Sequence, residues 1–270
     1  MTEAEWLAAT DPTPMLDFLR GKASDRHLRL FAVACCRGIW RLMTDERSRL
    51  AVDVVERVAD GRATLGELSA AQCSAEAAAH DADRAGYLAE FDTSVEPGRI
   101  GSAVFAAHAA LGAANLVVIV LREGRGTQSS CGWDCVDALR RAALSTIEIG
   151  PPYQHVLHWT DLPVVRDAEL VEMKRQARLL RDLVGNPFRP SPPLPPAVLA
   201  WNDSTVLRIA QGLYEDRKLP EGTLDTARLA ILSDALLDAG CVDENLIAHC
   251  RQPGVHVRGC WAVDLLLSKS

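Results

Sequence analysis

Apolar residues in this chain recur three and four positions apart, and almost no stretch alternates with period two. Side chains at those spacings share one helix face, whereas a half-buried strand needs strict alternation, so the pattern selects helices. Between Ser24 and Met43, for example, Leu28, Leu30, Phe31, Ala34, Cys35 and Leu42 form an apolar stripe.

Boundary signals agree with the periodicity. Thr44-Asp45-Glu46 reads as an N-cap with acidic first-turn residues for a helix to about Ala59, which Asp60-Gly61 stops. Thr64-x-x-Glu67 is a capping box opening an alanine-rich helix to about Phe91. Asp167 reads as the cap of a long helix ending at Val184, with Gly185 just past its end and Pro187 beyond. Further helices are expected over 97–122, 133–147, 204–218, 223–239, 243–251 and 260–267. With 39 alanines, 35 leucines and 5% aromatic residues, the core is expected to be mostly Leu, Ala and Val. The predicted fold is all-α, a multi-helix bundle of about nine to eleven helices.

One segment interrupts the bundle. Asn186 to Pro196 holds six prolines in 11 residues, which excludes helix and central strand and favours an extended, stiff connector. It divides the chain into a larger helical domain, 1–185, and a smaller one, 197–270, packed on the first. Phe188 and Leu194 are expected to hold the connector against its own protein.

Several function classes are excluded or disfavoured. A net charge of −7 with no basic stripe opposes nucleic-acid binding. There is no GxxxxGK[ST] and no GxGxxG after a strand. Ala103 to Leu121 is 19 residues without a charge, but its alanines, His108 and Asn115 suit a buried core helix better than a membrane span. The acidic start, Met1 to Trp6, lacks a leader pattern, so the expected location is cytoplasmic and the eight cysteines are expected to be free thiols.

Certain runs carry a resemblance. They are Thr2-Glu-Ala-Glu-Trp6, Leu28-Arg-Leu-Phe-Ala-Val-Ala-Cys-Cys36, Gly185-Asn-Pro-Phe-Arg-Pro190, Leu232-Ser-Asp-Ala-Leu-Leu-Asp-Ala-Gly-Cys241 and Ala248-His-Cys-Arg-Gln-Pro-Gly-Val-His-Val-Arg-Gly-Cys-Trp261. Together they resemble an uncharacterised family of planctomycete bacterial proteins. The resemblance implies a bacterial, cytosolic protein and transfers neither catalytic residues nor a substrate.

Candidate chemistry concentrates near the C-terminus, where Cys241, His249, Cys250, His256 and Cys260 fall within 20 residues. His249, Cys250, His256 and Cys260 are the residue types that zinc accepts, although there is no CxxC pair and adjacent His249 and Cys250 diverge by about 100° on a helix. Cys260 with His256 is the pair from which a thiol nucleophile would be built, Asp264 completing a Cys-His-Asp set. Gly259 is read as the N-cap of the last helix. Three weaker groups are Cys131 with Cys135, His155 with His158, and Glu76, His80 and Asp83 or Arg84 on one helix face. The leading functional reading is a non-enzymatic protein-interaction or scaffold module that meets a protein partner or itself. Its recognition feature would be Arg251, His256, Arg258 and Trp261. The alternative is a metal-binding protein or thiol-dependent enzyme using the C-terminal His/Cys cluster. No cofactor is assigned, zinc being the candidate if one is held.

Overall fold

The computed structural model describes residues 1–90 and 163–269, and in them the chain is helical. Ten helices are present among the described residues: α1 Glu3–Ala8, α2 Thr13–Leu19, α3 Asp25–Gly38, α4 Glu46–Ala59, α5 Leu65–Glu90, α6 Pro163–Val184, α7 Pro196–Glu215, α8 Thr226–Asp238, α9 Glu244–Arg251 and α10 Trp261–Leu267. Extended pairing is limited there to isolated bridges of Thr223 with Lys218 and Val257. The apolar run at 103–121, the expected helix at 133–147, Cys131, Cys135, His155 and His158 lie outside the described residues.

Local signals act where the side chains predict. Thr2 Oγ1 accepts the Glu5 N–H at 3.3 Å while Glu5 Oε2 accepts the Thr2 N–H at 2.7 Å, closing a capping box on α1. Ser24, Asp45, Asp225 and Asp243 cap α3, α4, α8 and α9. Two boundaries differ from expectation. Helix α6 starts at Pro163 rather than beside Asp167, because proline is well suited to a first helical position. Cys260, not Gly259, is the N-cap of α10; Gly259 stands before it with φ +90°. Helix α7 differs as well: it starts at Pro196 rather than at Ser204, and inside it Asn202, Asp203 and Ser204 take left-handed conformations that break it in two.

Two hydrophobic cores result. The first gathers Trp6, Met15 and Leu19 with the buried faces of α3, α4, α5 and α6. The second gathers the faces of α7 to α10. The Pro-rich connector reaches both: Phe188 stacks on Phe18 at 5.0 Å, and Leu194 packs on the second core.

The seam between the cores is polar. Arg26 and Arg258 reach Asp60 at the end of α4, and Arg26 also pairs with Asp264 of α10. Tyr214 of α7 donates its hydroxyl proton to Asp60, and Arg217 reaches Glu56. Arg37 donates to the Pro220 carbonyl at 3.1 Å, and Arg62 pairs with Glu215 at 2.6 Å.

Candidate metal centre

The last turn of α6, the last turn of α9 and the loop entering α10 meet at one buried point. Gly185 makes the approach possible. It ends α6 at φ +71°, and a Cβ there would stand 3.1 Å from the Trp261 ring. Gly259 does the same in the loop entering α10, since its Cβ would meet Leu30 Cδ1 at 2.5 Å and Leu183 Cδ2 at 2.9 Å. The N-terminal segment adds a brace. The Trp6 indole N–H donates to the Gly185 carbonyl at 3.1 Å, and Arg181 donates to the carbonyls of Trp6 and Ala9.

At this point stand Asp182, His249, His256 and Cys260, all buried, with one ligand atom from each lying within 4.8 Å of the others. His249 Nε2 is 3.2 Å from Asp182 Oδ1 and 3.1 Å from Cys260 Sγ. His256 Nδ1 is 2.7 Å from the same carboxylate oxygen and 3.9 Å from the same sulfur. Each imidazole therefore turns a single nitrogen toward both the carboxylate and the thiol. A tetrahedral zinc ion, with bonds of about 2.0–2.3 Å, keeps its ligand atoms roughly 3.3–3.8 Å apart. Three of the observed separations fall below that range and one just above it, so small side-chain shifts would seat the ion.

The surrounding groups are arranged to orient these four. Asp182 Oδ2 accepts the Val257 N–H at 2.9 Å, leaving Oδ1 for the centre. His256 Nε2 faces the Gln252 carbonyl at 3.2 Å, the kind of contact that fixes the tautomer of a metal-bound histidine. His249 is flanked by the rings of His256 and Trp261 at 4.8 and 4.9 Å.

Electrostatics divides the site into charged and neutral parts. Burial raises the Asp182 carboxyl, but hydrogen bonds from His249 and His256 more than offset it and bring it below its ordinary range. Burial lowers the His256 imidazole, yet the Asp182 hydrogen bond and charge, with the Gln252 carbonyl, raise it above its ordinary value. Both shifts favour the charged pair, Asp182 carboxylate with His256 imidazolium, when no metal is bound. Burial, reinforced by the charge of Asp182, pushes the Cys260 thiol well up, against the opposing amides of Ala262 and Val263. A cation at the centre would reverse this, as thiolate is the ligand form.

The geometry does not suit a thiol nucleophile. In a Cys-His-Asp set the carboxylate holds one imidazole nitrogen while the other takes the thiol proton. Here both partners meet the same nitrogen on each histidine. Asp264, the acid expected from sequence spacing, pairs with Arg26 instead. Cys260 is fully buried, and a cleft of about 570 Å³ beside Trp6, Arg181, Gly185 and Trp261 is lined by His249 but not by Asp182, His256 or Cys260.

Of the residues singled out from sequence, His249, His256 and Cys260 come together. Cys250 does not: adjacent to His249, it turns into the second core, where burial raises its thiol to about 12. Asp182 takes the fourth position. Its sequence signal was an acid three residues after Leu179 on an apolar helix stripe. Of the expected recognition residues, Arg251 is exposed and pairs with Asp234 at 2.6 Å, Trp261 is half-buried, and His256 and Arg258 are buried. Glu76 accepts from Gln72 at 3.0 Å, and His80 is exposed. No family model, curated protein or solved structure matches the chain.

Proposed function

We propose that this chain is a non-catalytic, zinc-binding helical protein, with Asp182, His249, His256 and Cys260 as the ligands. The carrying observation is that two imidazoles each direct one nitrogen at both a carboxylate and a thiol inside a buried space. Two imidazoles, one thiolate and one carboxylate suit zinc; a carboxylate in place of a thioether argues against a blue-copper centre. Four protein ligands fill a tetrahedron, which is the closed arrangement of structural rather than catalytic sites.

Elemental analysis of the full chain, purified without chelator, tests the reading. One zinc per chain is expected. Cobalt substitution should then produce tetrahedral d–d bands and a sulfur-to-cobalt charge-transfer band, the latter lost in Cys260→Ser. Protein that takes up neither metal would remove the reading.

The scaffold role expected from the sequence is compatible with such a centre. A zinc ion that sets the relative placement of two helical units supplies a rigid frame for a protein partner or for a second copy.

A further inference from the structure

We infer that the metal centre is a latch between the two helical units: filling it seats the strap Gln252–Cys260, and emptying it releases the strap and opens the seam. This rests on the zinc reading above and extends it from stability to regulation.

The ligands are divided between the units, Asp182 standing alone on α6 and the other three lying beyond the connector. The strap carries the contacts that join them. His256 and Cys260 face the centre, while Val257 inserts into the first core and donates its N–H to Asp182. Arg258 reaches Asp60, and Gly259 wedges against Leu30 and Leu183. Among the described residues, Val257 is the one residue beyond 196 buried in the first core. Besides the contacts of Gly259 with Leu30 and Leu183 and of Gly185 with Trp261, the seam consists largely of ion pairs and hydrogen bonds, which water can replace and which add little net stability once their desolvation is counted. Arg258 even buries its Nε without a partner. A seam of this composition needs a cross-link, and the metal supplies one at the strap. The two cores are distinct clusters, and the strap contributes Val257 to the first and Cys260 to the second.

Amide hydrogen exchange on the intact chain, zinc-loaded and chelator-treated, reads the latch directly. At free zinc about 100 times Kd, exchange at Val257, Cys260 and Leu224 should be about 100-fold slower than in the metal-free protein. The Val257 amide bonds to Asp182 on α6, the Cys260 amide within the strap and the Leu224 amide to the strap. Leu229 and Leu232, in the second core, should change little. If one zinc binds but its removal leaves strap exchange unaltered, the latch is wrong and the zinc centre stands. If strap and α8 amides accelerate equally, the metal holds the whole C-terminal unit folded and the latch is again wrong. If no metal binds, both readings fall.

Discussion

Asp182 illustrates how one residue can be indispensable without being conspicuous. It receives His256 and the Val257 amide, and both it and His256 are 4% exposed. Asp182→Ala removes a ligand and leaves the Val257 N–H without its acceptor, so the zinc-supplemented variant should unfold at a lower urea concentration, near the midpoint of the chelated parent protein. The same residues set an opposite pH response in the two forms. The raised His256 contributes stability fully below its unfolded value near 6.5 and loses it as pH climbs through its higher folded value. Lowered Asp182 contributes above its unfolded value near 3.8 and loses that contribution only as pH falls through its lower folded value. Zinc competes with protons for Cys260 and His256, so it binds more tightly as pH rises. The difference in urea midpoint between zinc-loaded and chelated protein should therefore widen from about pH 6 to about pH 8.

At the scale of elements, short helices depend on anchors. Helix α1 has six residues, too few to persist alone, and is fastened by fully buried Trp6 and by Arg181. Trp6→Ala should lower stability by about 3–5 kcal/mol in thermal or denaturant unfolding. It also removes the brace on Gly185 and so weakens metal retention. Helix α7 carries a cost at its break. Ser204 has φ +59° and makes no side-chain hydrogen bond among the described residues. Ser204→Gly relieves the left-handed penalty and should stabilise by about 0.5–1 kcal/mol, seen as a raised Tm. Helix α10, by contrast, begins at a cysteine that is spent on the centre rather than on capping.

For the molecule as a whole, the polar seam and the paired cores make zinc removal a change of arrangement more than of secondary structure. Chelation should leave far-ultraviolet circular dichroism nearly unchanged while small-angle scattering reports a larger radius of gyration. A collapse of helical signal on chelation would instead mean that the centre is required for folding.

Sequence by itself determined the helical class, the capping box at Thr64, the stop at Gly185 and the stiff connector, because each follows from interactions within a few residues of itself. It also placed His249, His256 and Cys260 in one short C-terminal stretch. Only the tertiary structure decided that Asp182, separated from His256 by 74 residues, completes the set and that Cys250 does not. Spacing carries no information about residues brought together by packing. The place of Asp182 depends on how closely α6 and α10 approach, which Gly185 and Gly259 permit and contacts with buried Leu30 and Leu183 and half-buried Trp261 define.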